Sequence, residues 1–296
     1  MAESFLNPAG INALSQIAVA AGRAIMEIYN QPDGWGVEMK ADDSPLTQAD
    51  LRANDIIVTA LLKLEPHIPV LSEESPWRAG NASTYWAVDP LDGTKEFIKR
   101  NGEFTVNIAL VIDGVARMGV IYAPAMKKLW AGIRNEDGST GTALSWAGCM
   151  ALKDDDAAGP TALATFTWTA IATSMGQETP SERLRLLGSR SHAGDAIPVW
   201  LSDALGTADI LECGSSLKFC LIAQGDADVY VRMGPTCIWD TAAGHAILAA
   251  AGGHVVALQT LDEVKYDDPR ELLNPKFIAY SPGRITLARS EQIDPH

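Results

Sequence analysis

Basic residues, long apolar runs and cysteines are all scarce in this sequence. Its 296 residues include 23 Lys and Arg against 37 Asp and Glu, which gives a formal net charge of −14. Nucleic acids and anionic membranes reward clustered positive charge, so this balance argues against both as partners. No apolar run approaches the length of a membrane span, and the first residues lack the basic region of a signal peptide. We therefore expect a soluble protein without membrane insertion.

The four cysteines carry no recognisable site. They form neither a CxxC pair nor a zinc-type spacing, which favours a reduced, cytoplasmic protein. The sequence also lacks a GxSxG motif and a Cys-Arg signature loop. Neither of these common nucleophile motifs of hydrolases is therefore available.

Two amphipathic helices are predicted in the first quarter of the chain. Apolar residues recur with helical spacing over 11–28, and a second helix is predicted over about 46–64. The residues expected on the buried face of the second helix are Leu51, Ile57, Val58, Leu61 and Leu62. Thr47 and Asp50 have the spacing of a capping box at its start, which gives Asp50 a structural role.

The next part of the chain has the pattern of an antiparallel sheet, which we expect to pack on the two helices. Strands predicted at 105–112 and 115–122 flank Asp113-Gly114, which is a strong hairpin signal. Further strands of the same sheet are predicted at 128–133 and 142–146.

After residue 183 the pattern changes to alternating strands and helices. The predicted strands are 184–187, 209–212 and 229–231, and the predicted helices are 195–205, one ending at Gln224, and 241–251. Helices flanking a mixed sheet follow from this order. We divide the chain into two domains, 1–182 and 183–296, and expect the segment 138–183 to lie away from the chemistry.

Acidic residues occur at three separated places that resemble the ends of structural elements. Ser72-Glu73-Glu74 and Asp89-Pro90-Leu91-Asp92-Gly93-Thr94 each come directly after an apolar run, and Asp240 follows Trp239. Asp, Pro and Gly are also common turn residues, and a lone Asp such as Asp240 is often a helix N-cap. Taken together, the three places offer the hard oxygen ligands that Mg²⁺ takes alongside water and substrate phosphate.

Three motifs carry a resemblance to a known superfamily: 71–74 (LSEE), 89–94 (DPLDGT) and 238–244 (IWDTAAG). Their combination resembles the magnesium-dependent, lithium-sensitive phosphatases that include inositol monophosphatase and fructose-1,6-bisphosphatase. Within that superfamily, the closer resemblance is to the bacterial 3′(2′),5′-bisphosphate nucleotidases of the CysQ type. The stretches that carry it are 89–107, 189–192 (SRSH), 214–220 (GSSLKFC) and 234–245. The resemblance implies a layered α-β-α-β-α sandwich, an α+β or α/β fold, and it covers nearly the whole chain except about 138–183.

The resemblance also implies a role for each matching residue. The implied metal ligands, which would hold two to three Mg²⁺ ions with Asp89 as a bridge, are Glu73, Asp89, the Leu91 carbonyl, Asp92 and Asp240. The implied catalytic residues, which would position and activate the attacking water, are Asp50, Glu73 and Thr94. The residues implied in substrate binding are Glu73, Leu91, Asp92, Gly93, Thr94, His192, Ser216, Lys218, Arg232 and Asp240.

Several of these residues also have plainer interpretations. Lys218 fits a solvated position on a helix, Arg232 fits an edge-strand charge, and His192 fits an ordinary loop histidine. Ser215-Ser216 stands at an expected helix N-terminus, where both hydroxyls could donate to an anion. Glu74 would point away from its neighbour if the strand continues, so it is left out of the ligand set.

The implied activity is removal of the 3′-phosphate of adenosine 3′,5′-bisphosphate, and of PAPS to give APS, as a step of sulfur assimilation. Phosphate monoesters hydrolyse very slowly unaided, and divalent ions ease the attack of water on an anion. Two alternatives stay open: hydrolysis of inositol phosphates or fructose bisphosphate by the same centre, and a catalytically silent nucleotide-binding regulator. Every expected side-chain ligand is acidic, which argues against the silent protein. The oligomeric state, monomer or homodimer, also stays open.

Overall fold

Helices and strands alternate in layers along this chain. The computed structural model describes residues 2–31, 38–39, 45–76, 80–134, 145–152, 166–173, 183–189, 199–285 and 287. The helices are α1 (Pro8–Tyr29), α2 (Gln48–Leu64), α3 (Thr94–Ile98), α4 (Val199–Leu205), α5 (Leu217–Ala223) and α6 (Ile238–Ala250). Among the described residues, none of the helices combines the length and the apolarity that a bilayer crossing requires.

The strands form two large sheets and one two-stranded ribbon. The strands are β1 (Glu38–Met39), β2 (Pro45–Leu46), β3 (Val70–Ser72), β4 (Thr84–Asp92), β5 (Thr105–Ile112), β6 (Val115–Ala123), β7 (Lys128–Ile133), β8 (Trp146–Ala151), β9 (Thr169–Ala170), β10 (Leu184–Ser189), β11 (Ala208–Cys213), β12 (Val229–Arg232), β13 (His254–Ala257) and β14 (Phe277–Tyr280). β1 pairs with β2, and the remaining strands belong to the two large sheets.

The seven-stranded sheet has the order β3-β4-β5-β6-β7-β8-β9 and is antiparallel except between β3 and β4. The hairpin predicted around Asp113-Gly114 is confirmed, and both residues have the positive φ that such a turn requires. Of the strand predicted at 142–146, residues 142–144 lie outside the described part of the chain. Ser145 is not in a strand, and β8 begins at Trp146.

The five-stranded sheet has the order β11-β10-β12-β14-β13. Its first three strands pair in parallel and its last three pair antiparallel, so the mixed sheet predicted for the second half is confirmed. β12 therefore lies in the middle of this sheet. The predicted helix 195–205 is described only from Val199, because 195–198 lie outside the described residues.

Alternation along β4 shows how the layers stack. Trp86 and Val88 belong to a core with α1 and α2, whereas Tyr85 and Ala87 face a second core that contains α5 and α6 and one face of the five-stranded sheet. Leu201 of α4 covers the other face of that sheet. The resulting order of layers confirms the α-β-α-β-α sandwich. α6 packs on β4–β7 although it follows residue 183, and the division of the chain at 182 stays a prediction.

The buried face of α2 is narrower than its sequence pattern predicts. Ile57 and Leu61 are fully buried, but Leu51 is 38% exposed and Leu62 is 45% exposed. These two leucines each follow a buried residue by one position, a rotation of about 100° around a helix, which turns them toward solvent. The expectation that both point inward is wrong.

Candidate metal and substrate site

A local irregularity in β4 brings two aspartates to the same side of the sheet. Asp89 and Asp92 are three residues apart, so a regular strand would place them on opposite faces. Asp89 pairs with Asn107 and Asp92 pairs with Thr105, so β4 advances three residues while β5 advances two. The extra residue forms a β-bulge. The bulge includes Pro90, which has no backbone N–H to donate to the neighbouring strand. The Leu91 N–H instead donates to Asp89 Oδ1 at 3.0 Å.

Three carboxylates meet at this bulge. Asp89, Asp92 and Asp240 each offer an oxygen, and these oxygens lie within 4.8 Å of one another. Burial raises the pKa of Asp89 well above its usual value, and the nearby carboxylates, Glu73 and Asp92 first among them, raise it further. Burial followed by the charge of Asp92 raises the pKa of Asp240 to about 8. Such a cluster of hard oxygens fits a divalent cation of the Mg²⁺ type, which would relieve the repulsion.

Asp240 reaches the cluster from the first turn of α6. The helix begins at Ile238, three residues before the predicted start, and Cys237 is its N-cap. The carboxylate of Asp240 accepts a hydrogen bond from the Cys237 N–H at 2.7 Å. The alternative that Asp240 is itself the N-cap is therefore wrong, since it occupies the third helical position and supports the cap from there.

Asp50 combines a structural contact with a contact to the site. Its Oδ2 accepts from the Thr47 N–H at 2.7 Å and from the Thr47 hydroxyl at 2.6 Å, which confirms the predicted capping box. Its other oxygen, Oδ1, lies 3.3 Å from the Thr94 hydroxyl, which is also 3.3 Å from the Leu91 carbonyl. Gly93, between Asp92 and Thr94, has φ +90°, a conformation that favours glycine. The catalytic roles of Asp50 and Thr94 stay predictions.

Glu73 reaches the site just after β3 ends. The strand stops at Ser72, so the argument that Glu74 points away along a continuing strand does not hold. The N–H of Glu73 donates to the Val88 carbonyl at 3.2 Å, which ties this turn to β4. Glu73 lines the same cavity as Asp92 and Asp240.

The serines before α5 hold Asp92. The Ser215 hydroxyl donates to Asp92 Oδ2 at 2.6 Å, and the Ser216 N–H donates to the same oxygen at 2.5 Å. Two buried residues of β5 extend this network, because the Ser216 hydroxyl lies 2.8 Å from both Thr105 Oγ1 and Asn107 Oδ1. The anion that these serines meet is thus a carboxylate of the protein. Sequence reasoning missed Thr105 and Asn107, whose signal was polarity within an otherwise apolar strand.

Two buried cations face the same cavity as the carboxylates. Lys218 is 4% exposed and Arg232 is 8% exposed, so neither a solvated helix position nor an edge-strand charge describes them. The Lys218 ammonium donates to the Ser215 carbonyl at 2.9 Å and lies 5.2 Å from the ring centre of Tyr230. Burial lowers the pKa of Lys218. Arg232 donates to the Pro235 carbonyl at 3.0 Å, and within the described residues its Nε has no hydrogen-bond partner.

The cavity that joins these groups has a volume of about 220 Å³. Its walls include Glu73, Asp92, Thr94, Lys218, Arg232 and Asp240. The structure therefore brings together residues that are separated by up to 167 positions in the chain. His192 lies outside the described residues, and its implied role stays a prediction.

Comparison with known proteins matches this chain over nearly its whole length. The profile of the inositol monophosphatase family matches residues 9–292. The 3′(2′),5′-bisphosphate nucleotidase CysQ of Escherichia coli K12 is 41% identical over 270 residues, which cover 90% of this chain and 98% of that protein. The corresponding protein of Haemophilus influenzae is 30% identical, with coverage of 92% and 93%.

A solved structure gives the same result. CysQ from Bacteroides thetaiotaomicron, described as a bacterial member of the inositol monophosphatase family, is 39% identical with a TM-score of 0.71. The similarity covers 91% of this chain and 96% of that one. With the layered fold and the carboxylate cluster, these matches show that this chain belongs to the inositol monophosphatase family of metal-dependent phosphatases.

Proposed function

We propose that this protein is a 3′(2′),5′-bisphosphate nucleotidase that removes the 3′-phosphate of adenosine 3′,5′-bisphosphate and releases AMP and phosphate. PAPS, which carries the same 3′-phosphate, is a second substrate in this proposal. The observation that carries it is one cavity lined both by three of the carboxylates, Glu73, Asp92 and Asp240, and by two buried cations, Lys218 and Arg232. A substrate with two phosphates matches that division. The name of the 41% identical relatives supports the nucleotide as the substrate class.

Two to three Mg²⁺ ions complete the site in this proposal. The residues that would hold them are Glu73, Asp89, the Leu91 carbonyl, Asp92 and Asp240. The mutual repulsion of these carboxylates and the raised pKa of Asp89 support a cation between them. When bound, such ions neutralise the phosphate being cleaved, acidify the attacking water and stabilise the leaving oxygen.

Thr94 and Asp50 orient the water in this proposal. The two donors of Thr47 both bind Oδ2 of Asp50, and Oδ1 faces the Thr94 hydroxyl. Thr94 can therefore donate its proton to Asp50 and accept a hydrogen bond from water at the same oxygen. Because the start of α2 fixes Asp50, donation of the Thr94 proton to Asp50 would direct a lone pair of the Thr94 oxygen toward the attacking water.

Lys218 and Arg232 bind the phosphate that is not cleaved. Both side chains are largely removed from bulk solvent, and both line the cavity. A phosphate would satisfy these donors through charge-assisted hydrogen bonds, which are stronger than neutral ones. These hydrogen bonds bind the substrate away from the reacting phosphorus. They therefore contribute mainly to selectivity for substrates with two phosphates over substrates with one.

The test compares two substrates on the same variants. Lys218→Ala and Arg232→Ala should each lose about 1.5–3 kcal/mol of binding to the second phosphate. This corresponds to roughly a tenfold to hundredfold loss of kcat/KM on adenosine 3′,5′-bisphosphate. Inositol 1-phosphate has no second phosphate, so its kcat/KM should change little. Lys63→Ala, which removes an exposed charge from the end of α2, serves as the control and should leave both substrates unaffected.

Equal losses on the two substrates would contradict the assignment of Lys218 and Arg232 to the second phosphate. A wild-type kcat/KM that is higher for inositol 1-phosphate than for adenosine 3′,5′-bisphosphate would replace the nucleotidase proposal with the inositol phosphatase alternative. Omission of Mg²⁺ in the presence of a chelator should abolish turnover of either substrate, since the same carboxylates serve both.

A further inference from the structure

The first turn of α6 determines where the Asp240 carboxylate lies, and its own cap is weak. Asp240 accepts from the N–H of Cys237, so the carboxylate moves with that turn. The N-cap side chain is a thiol, which is a poorer hydrogen-bonding group than the hydroxyl, carboxylate or amide oxygens preferred at this position. Contacts from outside α6 therefore add to the support of this turn.

Asn274 provides one such support. Its side-chain amide donates to the Cys237 carbonyl at 2.6 Å and to the Thr241 hydroxyl oxygen at 3.0 Å. The Ile238 N–H donates to the Leu272 carbonyl at 2.9 Å, so the segment 272–274 runs along the start of α6. One amide group thus holds both the N-cap and the residue that follows Asp240.

Tyr266 links α6 to the strand that carries the other carboxylates. Its hydroxyl donates to the Thr241 hydroxyl oxygen in α6 at 3.1 Å. Its carbonyl accepts from the Tyr85 hydroxyl in β4 at 2.9 Å, four residues before Asp89. Tyr266 is 2% exposed, so its ring is fixed by the core. Through Tyr266, the first turn of α6 is bonded to β4 at a distance from the site itself.

His245 contacts the Tyr266 hydroxyl and connects it to Glu263 and Arg134. His245 Nδ1 lies 3.1 Å from that hydroxyl, and His245 Nε2 lies 3.2 Å from Glu263 Oε1. Glu263 in turn forms a two-pronged ion pair with Arg134, at the end of β7. The chain of contacts therefore runs from the seven-stranded sheet through the core to the residue beside Asp240.

We propose that Tyr266 and Asn274 are positioning residues that keep Asp240 in register with Asp89 and Asp92. This inference rests on the metal role proposed for Asp240. Mg²⁺ demands oxygen ligands at about 2.0–2.1 Å in near-octahedral geometry, so its affinity is sensitive to the separation of the two elements that supply them. If the first turn of α6 becomes more mobile, all the carboxylates are still present, but the distance from Asp240 to Asp89 and Asp92 varies more. Metal affinity should therefore fall more than the rate at saturating metal.

The test measures binding of Mg²⁺ to the metal-free protein by calorimetry. Tyr266→Phe keeps the ring and removes only the hydroxyl, and Asn274→Ala removes the amide. Each should weaken Mg²⁺ binding by about tenfold, the lower end of the range for residues that orient metal ligands. The kcat at saturating Mg²⁺ should change little. Tyr280→Phe, which removes a hydroxyl from β14 outside this network, is the matched control and should bind Mg²⁺ as the wild type does.

Unchanged Mg²⁺ affinity in both Tyr266→Phe and Asn274→Ala would overturn the inference, and so would an equal loss in Tyr280→Phe. Asp240→Asn in the same calorimeter separates this result from the metal proposal. If Asp240→Asn binds Mg²⁺ as the wild type does, the metal role of Asp240 fails. If Asp240→Asn loses affinity while the two positioning variants do not, only the positioning inference fails.

Discussion

Asp89 and Asp228 are both fully buried carboxylates, yet their surroundings are opposite. Asp228, in the turn before β12, accepts from the Arg185 guanidinium at 2.7 and 3.1 Å and lies 3.5 Å from Arg284. Burial raises its pKa, but the hydrogen bonds and charge of Arg185 outweigh burial and lower the pKa overall. Asp89 has carboxylates as its charged neighbours, and its pKa is raised both by burial and by their charge.

This difference shows that burial alone does not tell whether a carboxylate stabilises the fold or belongs to a functional site. The fold supplies its own cations to Asp228, which is what a buried charge requires. At Asp89 the fold gathers further negative charge around a carboxylate that is already desolvated. Such an arrangement destabilises the protein alone and is relieved by a bound cation, so it marks a site shaped for function.

Asp89→Asn should produce the largest effect on activity and little loss of stability. Removing the Asp89 carboxylate should reduce turnover at saturating Mg²⁺ to near background, because it lies among the carboxylates of Glu73, Asp92 and Asp240 and would share the bound cations with them. The metal-free variant should unfold at the same temperature as the wild type or higher, since a repulsive buried charge is gone. Asp55→Asn, on the exposed surface of α2, is the control for both measurements. Near wild-type turnover in Asp89→Asn would refute the metal-centre assignment.

Asp228→Asn should produce the reverse pattern. Two arginines lose their carboxylate partner, which should lower the free energy of unfolding by about 3 kcal/mol, the lower end for breaking a buried pair, because Arg185 is partly solvated. Once folded, the variant should keep its kcat, since Asp228 lies outside the carboxylate cluster and binds Arg185 and Arg284 instead. Denaturant unfolding and steady-state kinetics measure the two quantities. A large fall in kcat without a fall in stability would show that the two regions are coupled.

The pH dependence of stability should also differ between Asp240 and Asp228, and we expect this effect to be smaller than those of the two preceding substitutions. The folded pKa of Asp240 is raised to about 8, so its contribution to stability is present at low pH and is lost as pH rises toward 8. The lowered pKa of Asp228 has the opposite sign, so its contribution is present above about pH 4 and is lost as pH falls. In a chelator, Asp240→Asn should therefore lose less stability than the wild type between about pH 5 and about pH 8, whereas Asp228→Asn should follow the wild type there. Parallel curves for all three proteins would contradict this account.

Local patterns predicted some elements well and others poorly. The hairpin of β5 and β6 follows from two β-rich runs around Asp113-Gly114, a signal carried by adjacent residues. Leu51 and Leu62 were misjudged because a helical pattern reports apolar positions but not the width of the surface that packs on them. The start of α6 was placed three residues late because its N-cap is a cysteine, which gives no capping signal.

The sequence by itself determined the chemical types at the site: the acidic motifs, the Thr and Gly beside them, and a family resemblance that implied their roles. Only the tertiary structure decided that Asp89 and Asp92 face one way, because the bulge is a property of the pairing between β4 and β5. Burial of Lys218 and Arg232, and the link from Tyr266 to both α6 and β4, likewise depend on residues far apart in the chain. Periodicity reports which way a side chain points from its own element, whereas charge repulsion, burial and hydrogen bonding depend on what another element places opposite it.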